Sequence, residues 1–388
     1  MNRNLFLLVS SQVFAFTAAN VTVFLSGIIG SQLTTIKSLS TLPPSIYVIG
    51  IAISTIFAAK IMSLIGRRLG FVLASAGSSL ACLIGAYSIF IGSFIIFCFA
   101  CFVLGVGMAF VHQYRFAAAE SVEKDKAPKA ISILLLAGIV SVFIGISLAN
   151  STKNYISDHL YVGSYLMLAI LTLIPALFLF FFKNKNEVSN YSKENIKTRS
   201  YSQFLSDPKF LQAITSASFA YVVMAFLMTA TPISMHIIHK LSLDKLGVVM
   251  QFHVLAMFLP SLVTGNLIKK FGYSKIMYVG VIFYIFTILM SFFEPSYLNY
   301  FAGLFFLGIG WNFLFVSGTS LLVTTYKPEE KFKAQGFNDL VVFSLTAVSS
   351  LSAGILISIT SWKIVNLLCI PFLILIIFSI INAQKKSK

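Results

Sequence analysis

The stretch AKIMSLIGRRLG, residues 59–70, decides the reading of this chain. An apolar run long enough to cross a membrane leads into it, and another begins directly after it. Between them stand Gly66 and the adjacent Arg67 and Arg68. A turn this short and this basic reads as a hairpin on the cytoplasmic side of a membrane. The pattern returns 206 residues later in GNLIKKFGYSK, residues 265–275. Aligning Gly66 with Gly272 puts Ala59 on Gly265, Ile61 on Leu267 and Val48 on Val254. A second echo, LGVG at 104–107 and LGIG at 307–310, has a spacing of 203. The two halves therefore read as copies of one unit.

Composition extends this outward. Apolar residues make up 58% of the chain and charged residues 10%, and the mean hydropathy is +0.91. A soluble domain carries roughly 25% charged residues, so the chain reads as a polytopic membrane protein. A net charge of +16 would suit nucleic acid, but the placement of the charges excludes that reading. Of the 28 Lys and Arg, only Lys37, Lys153, Lys240, Lys245 and Lys363 fall on one side of the predicted spans. That bias orients both termini to the cytoplasm.

Twelve segments have the apolar length of a span, roughly 5–30, 42–65, 69–91, 93–119, 131–150, 161–182, 209–231, 246–268, 275–293, 298–325, 338–359 and 363–382. In hydrocarbon only a helix satisfies the backbone of such segments. The polar, basic stretch 183–207 reads as a cytoplasmic linker between a bundle over 1–182 and another over 208–388. It supplies orienting charge and contact with anionic lipid. The first segment is too long for a signal peptide's apolar region. Cys98 and Cys101 form a C-x-x-C, but their apolar flanks and the lack of a second pair read as plain span residues, with no metal or cofactor.

Polar side chains inside spans carry a cost and mark candidate sites. Gln12, Asn20, His112, Tyr114, Arg115, Tyr221, Trp311 and Asn312 are the candidates for contact with a solute. Trp311 offers a face for a flat molecule, although the small residues Gly308 and Gly310 beside it also suit plain helix packing. Arg115 either pairs with Glu120 or meets a solute anion. His112 and His253 can carry a proton, since imidazole titrates near neutrality, and a packing role for His253 competes with that. Arg67 and Arg68 with Glu120 and Glu123 read as a cytoplasmic gate, because the guanidinium fork pairs bidentately with carboxylates and stays charged. The simpler alternative is that the arginines only hold topology. No Asp or Glu lies at the middle of a span.

These residues resemble the major facilitator superfamily over essentially the whole chain. Its mark is G-x-L-a-D-r-x-G-r-r between the second and third helices, with a degenerate copy between the eighth and ninth. Gly66, Arg67 and Arg68 match its second half, while Ala59 stands at its first glycine and Ser63 at its aspartate. The second copy keeps Gly265, Leu267 and Gly272 and has Lys269 at the aspartate position. HQYRFAAAE (112–120), QFHVLAMFLPS (251–261) and GWNFLFVSGTS (310–320) look like a bacterial subgroup of these transporters. Two antiporter marks are absent: Gly145 is followed by Ile146 rather than proline, and Arg115 lies nearer the cytoplasm than the arginine of drug exporters.

The resemblance implies an all-α membrane protein of two six-helix bundles with pseudo-twofold symmetry around one solute site. It implies a monomeric secondary transporter of a small organic solute, proton-coupled, in a bacterial inner membrane. With Ser63 in place of the acid, Asp339 is expected to open the eleventh helix near its positive dipole end and to accept from Arg67 or Arg68 at the membrane surface. No G-x-x-x-x-G-K-[ST] is present, so no ATP-driven pump is expected. A membrane enzyme would need clustered histidines and acids, and the five histidines are dispersed. A non-transporting receptor on the same scaffold is the other alternative.

Overall fold

A computed structural model describes residues 2–36, 39, 42–183 and 198–386, and every regular element among them is helical. In chain order they are α1 (Arg3–Leu33), α2 (Leu42–Phe90), α3 (Phe94–Val111), α4 (Tyr114–Glu120), α5 (Ala127–Thr152) and α6 (Val162–Leu179). Then follow α7 (Tyr201–Ser206), α8 (Pro208–Pro232), α9 (Leu243–Phe258), α10 (Ser261–Phe271) and α11 (Tyr273–Met290). The last are α12 (Tyr297–Leu322), α13 (Lys331–Ile359), α14 (Trp362–Leu367) and α15 (Ile370–Lys385). Among the described residues, 11 helical segments are long and apolar enough to cross a membrane.

One of these is α2, whose 49 residues contain a non-helical Gly66 at φ 83°, ψ 157°. It is two predicted spans joined at the quoted hairpin. Gly272, its counterpart in the repeat, has φ 84° and ψ 162° and separates α10 from α11. The repeat thus extends to the backbone angles of its turn, in a region essentially open to glycine alone. Nothing lies within 4 Å of a Cβ added at Gly272. Gly272→Ala should therefore strain only the backbone, by ~1–3 kcal/mol. A melting temperature equal to that of the wild type would show that the turn relaxes freely.

Several predicted spans have different ends. Pro260 lacks an N–H and divides the eighth span into α9 and α10. Residues 112 and 113 interrupt the fourth span between α3 and α4. The predicted linker contains α7, which carries a capping box between Ser200 and Gln203, while residues 184–197 lie outside the described part. α13 begins at Lys331, well before the predicted start at 338. Hydropathy stops at the charged segment KFKAQ, but the helix continues through it because Lys331 and Gln335 find polar partners on Glu120.

The chain forms two compact units. Unit 1 comprises the described residues of 1–122, 137–197 and 329–340, and unit 2 those of 123–136, 198–328 and 341–388. Each half of the sequence lends the other the first turns of one helix. Small residues permit these loans. A Cβ on Gly336 of α13 would meet Ala59 Cβ of α2 at 2.9 Å, within unit 1. One on Gly265 of α10 would meet the Lys129 backbone of α5 at 2.8 Å, within unit 2. Ala59 and Gly265 are the pair aligned by the repeat.

Candidate functional site

The basic end of unit 1 carries two tiers of polar contacts. In the first, Arg67 donates from Nε to Glu120 Oε2 at 3.2 Å and from Nη2 to Glu120 Oε1 at 2.7 Å. Arg67 Nη2 also donates to Gln335 Oε1 at 2.8 Å, and Gln335 Nε2 returns a bond to Glu120 Oε1 at 3.0 Å. Lys331 lies 3.6 Å from the same carboxylate. The Arg67 guanidinium sits over the Phe332 ring at 5.0 Å. This is a bidentate pair, the strong form of charge-assisted hydrogen bonding, although Arg67 Nη1 has no hydrogen-bond partner among the described residues.

In the second tier, Arg115 pairs with Asp339. Their side chains are 3% and 0% exposed, so this ion pair is fully withdrawn from water. Gln113 Nε2 donates to Asp339 Oδ2 at 2.8 Å, and Asn338 Nδ2 donates to Oδ1 at 2.9 Å. Buried charges survive only when paired and hydrogen-bonded in this way. The pairing corrects two expectations: Arg115 does not meet Glu120, and Asp339 does not accept from Arg67 or Arg68. The cause is the earlier start of α13, which leaves Asp339 about 12 Å along the helix from its first residue. Arg68 instead lies over the Phe180 ring at 4.7 Å. Glu123 takes Lys126 Nζ at 2.7 Å in an exposed pair. Ser63, at the position of the missing acid, donates to Lys60 O of its own helix at 2.7 Å.

The other candidates in unit 1 lie on α1, on α4 and at the break between α3 and α4. Asn20 donates to Ser141 Oγ at 3.0 Å. Gln12 is buried, and its Oε1 has no hydrogen-bond partner among the described residues. His112 is buried edge-on to Phe16, with ring centroids 6.1 Å apart. Tyr114 packs against Phe71 and, with Ser75, Ser78 and Thr172, lines a cavity of about 10 Å³. That space is about the size of one water.

Unit 2 gathers rings. Trp311 stacks on Phe315 at 4.8 Å and meets Tyr221 and Phe258 edge-on at 5.3 and 5.9 Å. Tyr221 also meets Phe315 at 4.9 Å and Phe343 at 5.4 Å. The stacking follows from sequence, since residues 311 and 315 share one face of α12. Trp311 is 1% exposed, and its Nε1–H has no partner among the described residues. Buried indole N–H groups ordinarily find an acceptor. Asn312 is already engaged, with bonds to Met257 O, Ser261 Oγ and Thr264 Oγ1. His253 is buried, its Nδ1 2.7 Å from Leu304 O, and its Nε2 is without a partner among the described residues.

Sequence reading missed Lys331, Gln335, Phe258, Phe315 and Phe343. Gln335 was discoverable, since it lies one helical turn before Asp339 and shares its face. The three phenylalanines were not, because nothing distinguishes them among the 39 in the chain. Among the described residues no cluster of three or more His, Cys, Asp or Glu is placed to hold a metal. All four cysteines are buried and free.

The sequence profile of the Major Facilitator Superfamily matches residues 5–259 and again 214–386. The riboflavin transporter RfnT of Brucella anthropi is 33% identical over 383 residues, which cover 99% of this chain and 96% of that protein. The uncharacterized MFS-type transporter YdeG of Bacillus subtilis is 26% identical over 94% of this chain and 88% of its own. Among solved structures, the human organic anion transporter MFSD10 (TETRAN) superposes with a TM-score of 0.74 at 14% identity, covering 98% and 99% of the two chains. The transporter FucP, in the outward conformation, gives 0.72 at 14% identity over 99% and 98%. At that identity the structures share the fold alone.

Proposed function

Because the chain belongs to the major facilitator superfamily, whose members are transporters rather than enzymes, we propose that it moves riboflavin across a bacterial inner membrane by proton-coupled alternating access. The aromatic group around Trp311 carries this reading, and the relative RfnT says which flat ring to test. Isoalloxazine is a planar tricycle with acceptor atoms on its edge. Rings packed edge-on and stacked suit its faces, and the unsatisfied Trp311 N–H suits its edge. The test is uptake of labelled riboflavin by proteoliposomes of the purified monomer. No flux in excess of empty vesicles, under either direction of pH gradient, would end the proposal.

In this reading Arg67, Glu120, Arg115 and Asp339 form the cytoplasmic gate, and both termini face the cytoplasm. A reporter active only outside the membrane should stay silent at either terminus. Activity at either one would reverse the orientation.

Proton coupling is assigned to His112 and His253, the histidines lying deep in spans. His112→Gln or His253→Gln should flatten the dependence of riboflavin flux on the pH gradient while leaving exchange at equal pH nearly intact. The reason is that glutamine keeps the hydrogen bonds and loses the titration. If both variants keep the full dependence on the gradient, the proton travels elsewhere.

A further inference from the structure

We propose that Asn312 is a positioning residue for the solute ring, because it braces the proline break of α9 and α10 and thereby sets the orientation of Trp311. The proposal rests on the flavin reading for its solute and on geometry alone for its brace.

The break is real at the level of hydrogen bonds. Pro260 offers no N–H, so the carbonyl one turn before it loses its regular donor. Beyond it the bonds shorten to three-residue spacing, from Leu262 N to Leu259 O at 3.1 Å and from Val263 N to Pro260 O at 2.9 Å. A broken helix of this kind would pivot in the membrane unless its polar groups were tied elsewhere.

Asn312 ties them from α12. Its Nδ2 donates to Met257 O at 2.6 Å, before the break, and to Ser261 Oγ at 2.6 Å, after it. Its Oδ1 accepts from Thr264 Oγ1 at 2.7 Å, one turn further on. One side chain, 0% exposed, thus clamps both sides of the bend. Two contacts on the same pair of helices hold the register. A Cβ on Gly308 would lie 2.6 Å from His253 O, so the backbones touch there, and His253 Nδ1 lies 2.7 Å from Leu304 O.

The brace lies beside the rings. Trp311 is the neighbour of Asn312 in sequence, and Phe258 follows Met257, whose carbonyl Asn312 holds. These two rings meet edge-on at 88°. Releasing Asn312 frees the Phe258 end of α9, and with it the wall against which the indole rests. The indole then loses the fixed direction of its unsatisfied N–H, the donor available to an acceptor on the solute edge. Asn312 itself has both amide hydrogens spent on helix 8 of the predicted series, so its action on the solute passes through Trp311.

The experiment uses the full-length protein carrying Trp362→Phe, which leaves Trp311 as the single tryptophan of the two in the chain. In this background Asn312→Ala is compared with the double variant Ser261→Ala, Thr264→Val. The double variant removes two bonds of the brace from the other side and spares α12. Without solute, both should red-shift Trp311 emission and raise its quenching by acrylamide. With riboflavin, both should raise the transport KM roughly tenfold with much less change in maximal rate, as for loss of one well-placed contact. Contact quenching of flavin emission on binding should weaken in step. Asn312→Gln should restore part of each. Unchanged Trp311 emission in both variants would overturn the brace. Shifted emission with an unchanged KM would overturn the role in solute positioning. Absence of riboflavin binding by the parent protein would remove the flavin reading and the solute role, and the solute-free emission would still decide the brace.

Discussion

Asp339→Ala is expected to destabilise the protein by ~3–5 kcal/mol, the cost of leaving a buried Arg115 without its counter-charge. A surface pair at a helix start would be worth only about 1 kcal/mol. Burial of both partners, at 3% and 0% exposure, moves the expectation to the higher figure. Arg115→Ala should cost a similar amount by stranding the carboxylate. Replacing both, as Arg115→Met with Asp339→Leu, should recover most of the loss, because an apolar pair of similar size escapes the desolvation penalty. Thermal unfolding in detergent of the wild type, Arg115→Met, Asp339→Leu and their combination forms a double-mutant cycle. Additive losses would mean that the two charges act separately. The recovered double variant then isolates function. It should fold well yet keep the cytoplasmic side open more of the time, because a bond made only in the closed state biases the equilibrium by its own strength. Greater labelling of a cysteine placed at the cytoplasmic end of α4 would report this. Labelling equal to wild type would remove Arg115 and Asp339 from the gate.

On the proposed flavin reading, Trp311→Phe should weaken riboflavin transport about tenfold in KM, by loss of one hydrogen bond to a buried acceptor. The substitution keeps a ring on Phe315 and removes the indole N–H, which has no partner among the described residues. Its effect on stability should be small, since a modest cavity is set against relief of an unsatisfied donor. Trp311→Ala is the blunter test, and loss of so large a buried side chain costs ~3–5 kcal/mol whatever the solute. The contrast between them carries the prediction. A Trp311→Phe protein with wild-type KM would show that the indole N–H contributes nothing to recognition, and stacking alone would have to account for binding.

The sequence by itself determined the membrane class, the helices and the repeat. Hydrocarbon allows little but a helix to a long apolar run, so composition was enough. The matching angles at Gly66 and Gly272 were legible for the same local reason, because a tight turn with positive φ requires glycine. Gly66, Arg67 and Arg68 were legible as a motif. The partners were not. Arg115 and Asp339 stand 224 residues apart, and Arg67 and Gln335 stand 268 apart. Which side chains meet over such separations depends on which helices lie side by side and in what register. No local pattern encodes that. Hydropathy also ended the eleventh span at its charges, whereas α13 runs on to Lys331 because Glu120 of α4 is there to meet them. Asn312 shows the same division. Its position inside a span marked it as polar and costly, and only the packing of α12 on the Pro260 break decided that its amide would be spent on a neighbouring helix.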